Sequence, residues 1–238
     1  MWLAALGVVL VSLGVAIGWF ALRPLVVVPR LVRNGVQEPS TVSESAFVVC
    51  RGTAIEGDEG AIAAPFSGHE CLGFEFEVTE RQPSFVGLPW FDSYLDDGVA
   101  TTTFELHGEY GSLAVDPSSR RFSLDTESTV ITVGPRETPP DRIQRFLDIR
   151  EIPSVARWLA AIPFFGRRRF VERRVDPGEE YIIAGQAERR AGTVCLVGDL
   201  VITDRSPWGL AATRLWAAGF PLLIASLAVC GGLWAVVG

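Results

Sequence analysis

The sequence predicts a mainly β domain, a compact β-barrel or sandwich with a short helical insertion, held between two transmembrane α-helices. Three observations predict it. Trp2 to Leu22 and Leu215 to Gly238 carry no charge, and every Asp, Glu, Arg and His of the 238-residue chain lies between them. Each run is at least as long as the roughly 20 residues an α-helix needs to cross a hydrocarbon core of about 30 Å. The segment between them is a series of short alternating or β-branched runs, with Gly or Pro in nearly every gap. One stretch alone has helical spacing.

In chain order, residues 1–23 read as the first membrane helix and 24–45 as a juxtamembrane linker. Leu25 to Val32 either extends that helix or starts a strand, and Asn34 to Ser45 is polar. The β domain is placed at 46–206. Its strand-like runs are Ala46 to Ala54, Cys71 to Arg81, Thr101 to Leu106, Gly111 to Val115, Arg121 to Leu124, Thr129 to Val133, Phe170 to Val175, Glu180 to Gln186 and Thr193 to Thr203. Strict alternation over Phe74-Glu75-Phe76-Glu77-Val78-Thr79-Glu80 puts Phe74, Phe76 and Val78 on one face of a half-buried strand. Asp116-Pro117 and Asp176-Pro177-Gly178 are turn signals. The helical insertion is placed at 139–165. Pro139-Pro140-Asp141 starts a helix with Ile143, Phe146 and Leu147 on one side, and Pro153-Ser154 starts a second with Val155, Trp158, Leu159 and Ile162. Residues 210–238 form the second membrane helix. Gly14 with Gly18, and Ala228 with Gly232, are small-xxx-small pairs that would let the two helices pack closely.

Composition narrows the function classes. All 21 basic residues are Arg, and 28 acidic residues bring the net charge to −7, which argues against non-specific binding of nucleic acid. Four Cys, one of them in the second apolar run, without any CxxC, encode neither a zinc-ribbon or RING module nor a thioredoxin-like motif. The chain opens without a basic n-region, so the first run reads as an uncleaved anchor in a cell membrane. Arg23, Arg30 and Arg33 follow the first run, and Arg205 and Arg214 precede the second. The positive-inside rule then puts the domain in the cytoplasm and both termini outside.

Chemistry-bearing residues are sparse. His69 and Cys71 fall in or beside one loop, Pro65 to Cys71, and are the candidates for a nucleophile and base pair in a hydrolase. The alternative is a packed Cys71 and an exposed His69. Cys50, His69, Cys71, His107 and Cys195 are the candidate zinc ligands, although His69-x-Cys71 is their single close pair; the expectation is no cofactor. Acid runs at Glu56 to Glu59 and Asp92 to Asp97 lack the pattern of a calcium loop. Phe85-Val86-Gly87-Leu88-Pro89-Trp90-Phe91 reads as an apolar loop that either docks on a protein or bilayer, with Phe85, Trp90 and Phe91 as contacts, or folds over the core. Arg167, Arg168 and Arg169 after Phe164-Phe165 suit a lipid interface, or form a solvated end to the helical pair.

Cys50-Arg51-Gly52-Thr53-Ala54 followed by Ala64-Pro65-Phe66-Ser67-Gly68-His69-Glu70-Cys71-Leu72 resembles the GIDE, or beside-a-membrane, domain. The likeness extends through Phe74 to Glu80, Phe104-Glu105-Leu106 with Gly111 to Pro117, and Phe170 to Arg174 with Pro177 to Gly185. That family is typified by mitochondrial-membrane E3 ubiquitin ligases, in which the domain lies between two membrane helices. The ligases carry a RING after the second helix; here the chain reaches Gly238 inside the apolar run, so a RING is expected to be lacking. The resemblance therefore implies a partner-binding, scaffold or quality-control accessory at the membrane surface, with the lipid bilayer and a protein as partners. The alternatives are a component of a ubiquitin-transferase-like system and the Cys/His hydrolase.

Overall fold

The structure, a computed structural model, describes residues 2–22, 29, 33, 35–84, 90–117, 122–162, 164–190 and 192–237. It is mainly β, with an apolar helix at each end of the chain. In order the elements are α1 (Trp2–Leu22), β1 (Ser45–Glu56), β2 (Ile62–Ala63), β3 (Glu70–Cys71), β4 (Gly73–Pro83), β5 (Trp90–Thr101), β6 (Phe104–His107), β7 (Ser112–Val115), β8 (Ser123–Asp125), β9 (Ser128–Val133), α2 (Asp141–Ile149), α3 (Arg157–Ala161), β10 (Arg168–Val175), β11 (Glu180–Arg190), β12 (Thr193–Thr203) and α4 (Pro207–Val237). The chain divides into a helical unit, Met1–Gly35 with Arg205–Gly238, and a β unit, Val36–Asp204.

In the helical unit, α1 and α4 are both long and apolar enough to cross a membrane. They pack along small residues seven apart: Gly7 and Gly14 on α1, and Ala218, Ala225 and Gly232 on α4, are all buried. A Cβ on Gly14 would stand 2.8 Å from the Ala225 carbonyl oxygen, and one on Gly7 would stand 2.5 Å from that of Gly232. Gly18 has ordinary room, 3.7 Å from the Ala225 Cβ. Gly14 and Gly232 thus belong to the seam as their spacing motifs predict, but the working interval is seven rather than four. Antiparallel helices at a shallow crossing angle meet every second turn, which is the physical origin of that interval.

In the β unit, pairings run β11–β1–β6–β7–β12 and return from β12 to β11, all antiparallel except β7–β12. The pairings thus return on themselves, although the parallel seam holds just two residue pairs, Cys195↔Ala114 and Leu196↔Val115. β8 joins the outer half of β12. Val48, Ala54, Leu106, Leu113, Ile183, Leu196, Leu200 and Ile202 fill the interior. Each of the Val, Leu and Ile side chains contributes roughly 1.5–3 kcal/mol on leaving water.

The second sheet, β5-β4-β10-β9, is antiparallel. Its inner face packs on α2 and on the loop after β2. Phe66, Phe76, Phe146 and Phe170 meet there edge to face, with centroids 5.0 to 5.7 Å apart. Phe76 and Val78 are buried on this face, and Phe74 lies against it, as the alternation predicts.

Three boundaries differ from the sequence reading. The run read as one strand from Thr101 to Leu106 is divided between β5 and β6, and residues 90–97, read as the end of a loop and an acid cluster, belong to the twelve-residue edge strand β5. Its carboxylates are compatible with a strand because Asp92 pairs with Arg81 and Asp96 with Arg150 in the folded domain. The polar stretch before β1 holds a 3-10 turn at Pro39–Thr41 and a bridge from Gln37 to Cys50. In the insertion, the second helix is just the five residues of α3. Apart from Pro29, the Leu25 to Val32 run lies outside the described residues.

Candidate functional site

Strand parity explains the first site. On β10, Arg168, Phe170, Glu172 and Arg174 alternate onto the face that carries the aromatic core, so three charges point inward. Inward charges are tolerable only when paired and hydrogen-bonded. Arg168 donates to Glu80 at 3.0 Å and to the Pro153 carbonyl. Glu172, fully buried, accepts the backbone N–H groups of Phe66 (2.7 Å) and Ser67 (3.2 Å), the Ser67 hydroxyl (2.5 Å) and the Arg174 guanidinium (3.2 Å). Arg174 also reaches Asp176 and the Ser67 hydroxyl oxygen. Among the described residues, no buried side-chain nitrogen or oxygen lacks a partner.

This carboxylate pins the tip of the β2–β3 hairpin, the segment that carries His69 and Cys71. Gly68 turns there at φ +77°, a conformation L side chains rarely hold. His69 is exposed, its carbonyl accepting from Ala64 N–H. Cys71 is buried, and its thiol donates to the Ile62 carbonyl at 3.4 Å rather than to His69. Burial, with Asp176 and Glu172 adding to it, pushes the Cys71 thiol up to about 11. A thiol in that state is a poor nucleophile and a poor ligand at neutral pH.

The five residues considered for zinc do not converge. Cys50 lies in the ring interior, where burial pushes its thiol up to about 12. Cys195 donates to the Glu188 carbonyl. His107 is exposed on β6 and hydrogen-bonds Glu105 at 2.7 Å. Among the described residues no three His, Cys, Asp or Glu side chains are placed to share an ion. In the Glu56 to Glu59 run, Glu56 accepts from Ala61 N–H within the turn and Glu59 accepts from the distant Thr103 N–H before β6.

The second site lies on the outer face of the four-stranded sheet. Register places Trp90 opposite Pro83, Asp92 opposite Arg81, and Tyr94 and Arg169 on either side of Thr79. These are the outward positions of each strand, because their alternates Val78, Glu80, Arg168 and Phe170 are buried. Backbone bonds between Arg81 and Arg167, and between Gly166 and Arg81, carry the ladder one rung past β10 and bring Arg167 to the same end. Trp90 is 49% and Tyr94 56% exposed, and the Arg81 guanidinium lies 5.5 Å from the Trp90 ring centre.

Neighbours in a strand point to opposite faces, so two groupings read from the sequence are divided. Phe91 does not share the outward face with Trp90. Arg168 turns inward to Glu80, while Arg167 and Arg169 stay exposed. Phe85 lies outside the described residues. Sequence reasoning missed Tyr94, hidden in an acid-rich run, and Glu172, whose parity with Phe170 was the available signal. No protein-family model matches the chain, nor does any curated protein or solved structure.

Proposed function

We propose that this chain is a membrane-anchored binding accessory of the GIDE type, whose β domain engages a partner at the cytoplasmic surface of the cell membrane. The observation that carries this reading is the exposed outer face of the four-stranded sheet. It holds Trp90 and Tyr94 beside Arg81, Arg167 and Arg169 on rigid strands. Large aromatics next to Arg are the residue types that dominate binding energy at interfaces. The two terminal apolar helices support the anchored part of the reading, and the segments Cys50 to Ala54 and Ala64 to Leu72 support the GIDE part. A protonated, packed Cys71 favours this over the hydrolase reading.

The test places a photo-crosslinking amino acid at Tyr94 in native membranes, with exposed Thr193 as the control position. Adducts from Tyr94 well above those from Thr193 are expected; equal yields at the two positions overturn the binding role. Arg136→Cys, in an exposed turn, reports sidedness. Its protection from an impermeant maleimide until lysis is expected, and labelling in intact cells overturns the cytoplasmic placement.

A further inference from the structure

We infer that the occupant of this face is an anionic lipid surface, with the Trp90 and Arg167 end of the sheet turned towards the headgroups. The inference rests on the binding role proposed above and names the partner.

Charge gives the first argument. The chain carries net −7, yet at this end Arg81, Arg167 and Arg169 face one carboxylate, Asp92. Asp92 is already engaged by Arg81 at 3.2 Å. Arg167 and Arg169 are exposed and in no ion pair among the described residues. The other end of the same face reverses sign: Glu77 and Asp97 sit directly opposite each other there, next to Glu75. A face that is basic at one end and acidic at the other has a preferred tilt against an anionic plane.

The side chains give the second argument. Trp90 has an apolar body and a polar tip, which suits the headgroup level of a bilayer, and the guanidinium fork matches a phosphodiester, whereas the Tyr94 hydroxyl is turned to Asp97. Phe164 belongs to the same end. It lies in the turn entering β10, two residues before the Gly166 that bonds Arg81, is 72% exposed, and is held at φ +74°. A bulky residue in that conformation costs free energy and buries little in the domain. Insertion among lipid headgroups would recover it.

Tethering gives the third. The β unit ends at Asp204, and α4, long enough to cross a membrane, begins at Pro207. A bilayer surface is therefore always at high effective concentration, and a contact too weak to recruit a free protein suffices to orient a tethered one.

The experiment uses the full chain with Cys230→Ser and a polarity-sensitive fluorophore on Thr132→Cys. Thr132 is the exposed residue opposite Arg169 on β9, and the remaining Cys50, Cys71 and Cys195 are buried. The protein is reconstituted in vesicles of phosphatidylcholine, or of phosphatidylcholine mixed with phosphatidylglycerol, each with a headgroup-nitroxide lipid as quencher. Quenching is expected in the anionic vesicles, and it should fall at raised salt. Each arginine near an anionic leaflet contributes about a fivefold preference, so Arg167→Gln with Arg169→Gln should lower the docked-to-free ratio roughly 25-fold. Quenching that is equal in the two lipids, or indifferent to the double variant, overturns the inference. A probe exposed in both vesicles but shielded in native membranes, with shielding lost in the double variant, assigns the face to an acidic protein; lipid docking then fails while the binding role stands. Exposure in native membranes as well removes both.

Discussion

Glu172→Ala strikes at the one carboxylate that joins the β2–β3 hairpin to the four-stranded sheet. The variant abandons two backbone N–H groups, at Phe66 and Ser67, and half of the Arg174 ion pairing. An abandoned buried donor costs about 1–3 kcal/mol, and breaking a buried pair about 3–5 kcal/mol. These losses overlap, because Arg174 keeps Asp176, so a total near 4 kcal/mol is expected. For a domain of this size each kcal/mol moves the thermal midpoint by about 2–4 °C, which gives a drop of roughly 8–16 °C. Calorimetry of the full chain in detergent measures it. Hydrogen exchange at the Phe66 and Ser67 amides, expected to lose protection first, localises it. Ser67→Ala removes the hydroxyl that bonds Glu172 and accepts from Arg174 and the His69 N–H, but keeps the ion pair and both backbone donors on Glu172, so it should cost less, about 1–2 kcal/mol. Equal, sub-kcal/mol effects of the two substitutions would refute the view that Glu172 holds the hairpin.

Burial pushes the Glu75 carboxyl above its usual value, so the folded state holds this proton more tightly than the unfolded chain. The penalty on the charged form is present at neutral pH and relieved as acid protonates it. Glu75→Gln should therefore raise the thermal midpoint at neutral pH, by a margin that shrinks on acidification; a lowered neutral midpoint would show that its contacts to Leu124 and Arg173 prevail. The helix seam predicts that Gly18→Cys with Ala225→Cys, in a Cys230→Ser background, cross-links on mild oxidation, since 3.7 Å between Cβ positions suits a disulfide. Adding Gly14→Ala should reduce that yield, because its methyl meets the Ala225 carbonyl. Cys50 and Cys71 should resist alkylation in the folded chain near neutral pH and react on denaturation. Rapid native labelling of Cys71 would mean that the thiol is not packed as described.

The features written locally in the chain are those that depend on solvent preference and short periodicity. An uncharged run at each end is sufficient to specify a long apolar helix, because every backbone polar group is satisfied within the helix itself. Alternation over Phe74 to Glu80 specifies a strand and its inner face, because successive side chains in a strand must point opposite ways. The turn chemistry of Asp176-Pro177-Gly178 and the helix start at Pro140-Asp141 follow from φ preferences of single residues. The mainly β class between two apolar helices rests on these.

Pairing is different, since it joins residues far apart and no local pattern encodes it. An acid-rich run such as Asp92 to Asp97 has poor strand propensity, and it becomes β5 because Arg81 and Arg150 supply the missing charge. The inward charges of β10 are acceptable because Glu80, Ser67 and Arg174 lie where their partners are needed. The grouping of Trp90 and Tyr94 with Arg167 and Arg169 likewise exists only once β4 stands between β5 and β10. By itself, then, the sequence determined the two apolar helices and the strands with apolar alternation, but not β5. Tertiary structure alone decided which charges are spent inside the domain and which remain on its surface, because an ion's cost depends on the partner and the water that folding leaves around it.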